Sequence, residues 1–147
     1  MKISGSFTFE HPVKNLWEVL SNPYEFGSLS SNIQRVEKIE EEMFRIDGNF
    51  SIAGNVKHVS FCVQLIQQEK PEFIYLMIKG LGFLSTVSAE ATIRLQMISE
   101  GTSLVSYSVI PKWSLFMKSM FGGMADNLIN KLALEFFQSL NERLKMQ

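Results

Sequence analysis

Cysteine is almost missing from this sequence. Cys62 stands alone, so no intrachain disulfide can form, and two histidines with no neighbouring cysteine do not make a structural zinc site. That composition fits a reducing, cytoplasmic setting. Charge in blocks is missing too: 14 basic residues offset 15 acidic ones for a net charge of -1, without the basic patch a nucleic-acid partner requires. No window approaches the roughly 18 apolar residues of a membrane span, and Met1-Lys2-Ile3-Ser4-Gly5 begins no signal-peptide core. The expectation is a soluble protein with no transmembrane segment. A phosphate-cradling loop is lacking as well, because Gly80-Leu81-Gly82 has neither the following glycine nor the helix start.

What is present is apolar bulk. Hydrophobic residues make up 46% of the 147, with 12 phenylalanines and 8 methionines. A chain of this length reads as one domain over residues 1–147, burying about two-thirds of its unfolded surface without metal or disulfide. Phenylalanine and methionine can fill a core. They are also the lining for a pocket that takes greasy ligands of variable shape.

Period-two alternation opens the chain, with Ile3, Gly5, Phe7 and Phe9 opposite Ser4, Ser6 and Thr8, which predicts a half-buried strand. Pro12 suits the start of a short helix through Leu20 that carries Val13, Leu16, Trp17 and Leu20 on one face. Asn22-Pro23 stops it, and a second helical turn runs from Pro23 to about Leu29. Strands follow over Ile33 to Glu41, Met43 to Ala53, Val56 to Gln68, Phe73 to Lys79, Val87 to Met97 and Thr102 to Ile110, with Pro111 ending the last. Phe73 to Lys79 is apolar on both faces, so it is either central and covered twice or the wall of an extra cavity. In Thr102 to Ile110 the register stays open, because Val105, Tyr107 and Val109 compete with Leu104 and Ile110 for the inner face.

Ser114 to Leu144 reads as one long helix. Met117, Phe121, Met124, Leu128, Leu132, Phe136 and Leu140 recur at helical spacing, and Phe116, Met120, Ile129, Ala133 and Phe137 widen the stripe beyond a coiled-coil seam. A stripe that wide needs a curved cover. Tight turns make the strands antiparallel, and the long helix is the element that can cover their apolar face. The predicted fold is α+β: a curved antiparallel sheet of six to seven strands wrapped around a long C-terminal helix, with two short helices after the first strand.

The sequence resembles the CoxG family, the G subunits of carbon monoxide dehydrogenase, within the helix-grip (START-like, SRPBCC, Bet v 1-like) superfamily. The resemblance rests on Gly5-Ser6-Phe7-Thr8-Phe9 before a proline-opened helix with Trp17, and on Leu20-Ser21-Asn22-Pro23. Lys79-Gly80 before a glycine-bearing loop, Ser88-Ala89-Glu90 leading into Thr92, and Leu128-Ile129 to Phe136-Phe137 complete it. Members often place Pro-Gly where this chain has Ser31-Asn32, and many carry a C-terminal linker and apolar anchoring tail. With Gln147 following the helix directly, the expectation is a protein without that anchor, whose membrane contact would be peripheral.

Catalytic candidates are sparse. His58 and Cys62 lie four apart in a strand, about 13 Å at strand rise, too far for a nucleophile and its base. His11 reads as a turn residue, Glu40-Glu41-Glu42 as a solvated turn, and Glu90 as a solvated cross-strand partner on the face of Arg94. No carboxylate, histidine and nucleophile converge. The expected ligand-binding residues are instead apolar: Phe50, Ile52, Phe61, Val63, Ile78, Ala89, Ala91 and Ile93 from the strands, Leu81 and Phe83 from the loop, and Met117, Met120, Phe121, Met124 and Leu128 from the helix. Gly122-Gly123 costs roughly 1 kcal/mol per glycine within a helix, which a close contact, a kink or a movable first segment would offset. A movable segment would gate the cavity, leaving the helix from Leu128 onward as core.

The reading is a non-catalytic protein that needs no cofactor or metal and binds a lipid, quinone or isoprenoid-like molecule between sheet and helix. The resemblance implies an accessory role to a molybdenum hydroxylase-type enzyme of the carbon monoxide dehydrogenase kind. Two alternatives stand beside it: a cyclase or hydratase-type enzyme on the same fold, and a ligand-free interaction module. Monomer and homodimer are both open.

Overall fold

The computed structural model describes residues 2–52, 54–114 and 124–146. Its strands are β1 (Ile3–Phe9), β2 (Ile33–Glu40), β3 (Met43–Ile52), β4 (Asn55–Glu69), β5 (Phe73–Gly80), β6 (Ser88–Ser99) and β7 (Thr102–Lys112). Its helices are α1 (Val13–Leu20), α2 (Pro23–Gly27) and α3 (Met124–Lys145), with a 3-10 turn at Gly82–Leu84. All seven strands form one antiparallel sheet in the order β1-β7-β6-β5-β4-β3-β2. This is the helix-grip fold: α1 and α2 connect the two edge strands, and α3 lies in the concave face.

Alternation decides which side faces in. Ile3 and Phe9 of β1, Phe44 and Ile46 of β3, Val59, Val63 and Leu65 of β4, and Ile74 and Leu76 of β5 are all buried. Most of them share one core with Leu16, Trp17, Val19 and Leu20 of α1 and with Phe137, Leu140 and Leu144 of α3. The short helices start and stop as their sequences dictate. Pro12 precedes α1, and the Asn22 side chain accepts the Tyr24 amide at 3.1 Å to cap α2. At the far end of α3 the Arg143 guanidinium donates to the Ser28 hydroxyl at 2.7 Å and approaches Glu25 at 3.4 Å, tying the helix to the α2 segment.

One expectation changes, and two readings left open are decided. β5 is central, fourth of seven, and of its two readings the cavity wall applies, since Ile78 borders the cavity under α3; its outward face is not covered, with Met77 38% exposed and the Arg94 guanidinium 4.5 Å from the centroid of the Phe73 ring. Pro111 does not end β7. The strand runs on to Lys112, with Pro111 opposite Ala89, and since β1 begins opposite Val109 the missing N–H breaks no ladder on that side. Register in β7 resolves toward Val105, Tyr107 and Val109, because choosing Leu104 and Ile110 would have put Ser103 outside. The fully buried Ser103 instead donates its hydroxyl to the His11 carbonyl at 2.7 Å.

The helix is held by a few deep side chains. Leu140→Ala, at a position with no exposure, is expected to cost about 2–5 kcal/mol in chemical denaturation, whereas Leu134→Ala, 44% exposed on the same helix, should cost under about 1 kcal/mol. Equal losses would contradict the grip as the main source of helix stability.

Candidate functional site

A seven-stranded sheet at about 4.8 Å per strand is nearly 30 Å wide, and a helix covers only about 10 Å of that width. The fill is therefore incomplete. Between the sheet and α3 lies a cavity of about 620 Å³ that opens to solvent. The sheet contributes Phe50, Phe61, Ile78, Ala91, Ile93 and Val109, and the helix contributes Ile129, Leu132, Ala133 and Phe136. The segment Leu29 to Ile33 forms a third side, with Ser30, Ser31 and Asn32 on it, and Glu135, Gln138, Ser139 and Glu142 of α3 add further polar groups.

Two glycines shape this space. Gly48 of β3 lets the connecting segment come close, since a Cβ there would stand 2.5 Å from the Asn32 carbonyl oxygen. Gly5 of β1 lies directly opposite Tyr107 of β7, and a Cβ at Gly5 would meet the phenol oxygen at 2.7 Å. The empty glycine face thus accepts the ring, which stacks on Phe137 with centroids 5.8 Å apart, while Phe7 packs on Phe137 at 4.6 Å. So placed, the Tyr107 hydroxyl donates to Asn130 Oδ1 at 3.2 Å. Burial pushes the phenol above its ordinary pKa, so the group is a neutral hydroxyl at the cavity wall.

Of the residues expected from sequence, Phe50, Phe61, Ile78, Ala91 and Ile93 meet in this cavity. Val63 is buried in the closed core instead, and Ala89 lies two residues before Ala91, between Ile78 and Pro111. Leu81 precedes the 3-10 turn, and Phe83 within it is 51% exposed. Ile52, Met124 and Leu128 have described backbone but not described side chains. Met117, Met120 and Phe121, with Gly122-Gly123, lie outside the described residues. The sequence reading missed Tyr107, Val109, Leu132, Ala133 and Phe136. The first two hung on an open register, and the helix residues carry a periodicity that does not distinguish packing against a strand from facing a void.

Chemistry-bearing groups elsewhere are tied up in cross-strand contacts. On the outer face Ser60 donates to Asp47 at 2.5 Å, Arg45 Nε donates to Asp47 at 3.2 Å, and His58 Nδ1 stands 3.1 Å from Asn49 Oδ1. Cys62 sits between Arg45 and Lys79 in the ladder and makes no contact with His58 that would activate it. Glu90 faces outward on the face it shares with Arg94, and its cross-strand partner is Lys112 at 4.0 Å. Among the described residues no three His, Cys, Asp or Glu side chains group as metal ligands, and no helix is long and apolar enough to cross a membrane.

The Asp47 network gives a pH signature. The Ser60 hydroxyl, opposed by partial burial and aided by Arg45, holds the Asp47 carboxyl below its usual range. A depressed folded pKa contributes stability above the unfolded value of about 3.9 that is lost as pH falls through the folded one. Asp47→Asn should therefore destabilise the protein at pH 7 and progressively less below about pH 4, read as the midpoint difference between variant and natural chain. Gly5→Ala should displace the Tyr107 ring and cost about 1–3 kcal/mol, more than the roughly 0.5–1.5 kcal/mol expected for Tyr107→Phe, which removes one hydrogen bond and leaves the ring.

The comparisons with known proteins agree with this geometry. A crystal structure of a conserved protein from Geobacillus kaustophilus superposes with a TM-score of 0.88 at 18% identity, covering 99% of this chain and 96% of that one. A START superfamily protein from Mycobacterium smegmatis gives 0.78 at 12% identity, over 99% and 97% of the two chains, and Ara h 8.0201 gives 0.74 at 14%, over 100% and 99%. At these identities the likeness is one of fold. No curated protein matches the chain significantly. The CoxG family model, which describes the G subunit of carbon monoxide dehydrogenase, matches residues 5–145, the span that holds nearly all of the sheet, the cavity and α3. The chain belongs to the CoxG family of carbon monoxide dehydrogenase G subunits.

Proposed function

We propose that this protein, as a single domain over residues 1–147, binds a hydrophobic small molecule of lipid, quinone or isoprenoid type between sheet and α3, and catalyses no reaction on it. The observation that carries this is the cavity itself. Its volume of about 620 Å³ suits a ligand of drug size or somewhat larger, and its walls are apolar where sheet and helix face each other. Burying about 300 Å² of apolar ligand surface contributes roughly 7 kcal/mol, and association takes back several kcal/mol of it. Useful affinity therefore asks for a long or polycyclic apolar body. The family name supports the rest of the reading, a cytoplasmic accessory to a molybdenum-containing carbon monoxide dehydrogenase-like oxidoreductase.

A second reading has one observation behind it. Tyr107 places a hydroxyl at the cavity wall, oriented by its hydrogen bond to the exposed Asn130, and a cyclase or hydratase-type enzyme would require such a polar group. Chemistry of that kind needs a further acid or base converging on the same point. The other described polar groups of the cavity lie instead on the Ser30 to Asn32 segment, at Thr92, and along α3 from Glu135 to Glu142.

Mass spectrometry of an organic extract of the purified protein should show one dominant apolar species, and adding that species back should raise the melting temperature. Ala91→Phe, which fills the cavity from its sheet wall, should lower the amount carried at least about tenfold while the protein stays folded. An empty extract together with no thermal shift from lipids, quinones or isoprenoids would rule the reading out. Co-purification with the oxidoreductase tests the accessory role separately.

A further inference from the structure

The cavity meets solvent at a polar border. Four of the residues lining it are exposed: Ser31 on the Leu29 to Ile33 segment, and Glu135, Gln138 and Glu142 on α3. The opening therefore lies between that segment and one edge of α3. Spacings of three and four residues stack Glu135, Gln138 and Glu142 along that edge, over about 10 Å of helix rise. A polar head seated against Gln138 has a carboxylate about one turn away on either side.

The charge of this border has one sign. Among the described residues that line the cavity there is no lysine, arginine or histidine, and Glu135 and Glu142 form no ion pair with a described residue. Lys131, four residues before Glu135, is not part of the lining. Arg143 follows Glu142, but its guanidinium turns to the Ser28 hydroxyl at 2.7 Å and to the Glu25 carboxylate at 3.4 Å, so its charge is already offset. What remains for a ligand is neutral. The Ser31 and Gln138 side chains make no hydrogen bond with a described residue, and the Tyr107 hydroxyl, while donating to Asn130, can still accept one.

We propose that Glu135 and Glu142 sort ligands by head-group charge: the cavity takes amphiphiles whose polar head is uncharged or cationic, and rejects fatty acids and other anionic ones. This rests on the binding reading above and narrows it. The apolar walls accept the tail of either kind, so the tail does not discriminate. A head left at the border keeps its water, and the discrimination is Coulombic. A unit charge about 6 Å from each carboxylate in such a hydrated setting changes binding about threefold per carboxylate, hence about tenfold for the two. An uncharged hydroxyl or amide feels no such repulsion, while Ser31 and Gln138 can hydrogen-bond it.

The test holds the tail constant and varies the head. Dodecanol, dodecanoate and dodecylammonium each compete with the uncharged fluorophore N-phenyl-1-naphthylamine for the full chain. At about 20 mM salt dodecanol should displace the fluorophore at a concentration at least about tenfold below dodecanoate, and the difference should shrink at about 0.5 M salt. Glu135→Gln combined with Glu142→Gln should tighten dodecanoate and weaken dodecylammonium, each about tenfold relative to dodecanol. A loss of fold or of cavity shape would not move the two in opposite directions. Glu100→Gln, in the β6–β7 turn, should leave both ratios where they are. All three positions are exposed, and circular dichroism checks that each variant is folded. Dodecanoate binding as tightly as dodecanol, or ratios unmoved in the double variant, would overturn the head-group proposal and leave the binding reading standing. A chain that takes up neither the fluorophore nor any of the three amphiphiles would overturn both.

Discussion

Everything in this structure depends on covering the concave apolar face of one curved sheet. Antiparallel strands joined by tight turns present a half-apolar surface wider than any one helix can fill. Helix α3, 22 residues and about 33 Å long, closes the side near β1, where Phe137 meets Phe7 and Phe9. Helix α1 packs its four buried residues elsewhere on the same core. The strip of sheet left uncovered between α3 and the Leu29 to Ile33 segment, under Phe50, Phe61, Ile78 and Ile93, becomes the cavity. The cavity is thus a geometric remainder of the fold and does not require a dedicated motif.

That origin explains the character of the site. Its walls come from the same alternating positions that build the core, so the walls are apolar by default. Polarity enters mainly in two ways: from the edge of α3 and the Leu29 to Ile33 segment, and from a single phenol that Gly5 makes room for. The pairing of Gly5 with Tyr107 links a position that looks like a simple strand glycine to the placement of the hydroxyl at the cavity wall. Charged residues of the strands lie mostly on the outer face, where Asp47, Ser60 and Arg45 satisfy one another, whereas Glu135 and Glu142 of α3 stand at the cavity edge.

Strand alternation, turn chemistry and helix spacing were legible in the residues because each is a local property with a fixed period. Ile3 to Phe9, Phe44 to Phe50 and Val59 to Leu65 show their inner faces in the sequence itself, and Pro12 and Asn22-Pro23 mark the short helices. Where a residue's neighbours come from another part of the chain, local reading fell short. Pro111 looked like a stop because nothing local shows that β1 begins opposite Val109 and leaves that side unpaired. Whether the Phe73 to Lys79 strand was covered twice or walled a cavity stayed open, because its own residues do not show that Ile78 borders the cavity while Met77 stays exposed. Alternation put Glu90 on the outward face it shares with Arg94, but the identity of its cross-strand partner, Lys112, came only with the β6–β7 register.

An α+β helix-grip chain, the faces of most of its strands and its family follow from the residues, since periodicity and turn chemistry act over a few positions and recur throughout. Where filling stops is a tertiary matter: Leu132, Ala133 and Phe136 face a void, Val63 does not, and Tyr107 points to Asn130. Hydrophobic patterning specifies which side of an element is dry. Whether that side meets another side chain or an empty space depends on the curvature of the sheet and the path of a helix far away in the chain.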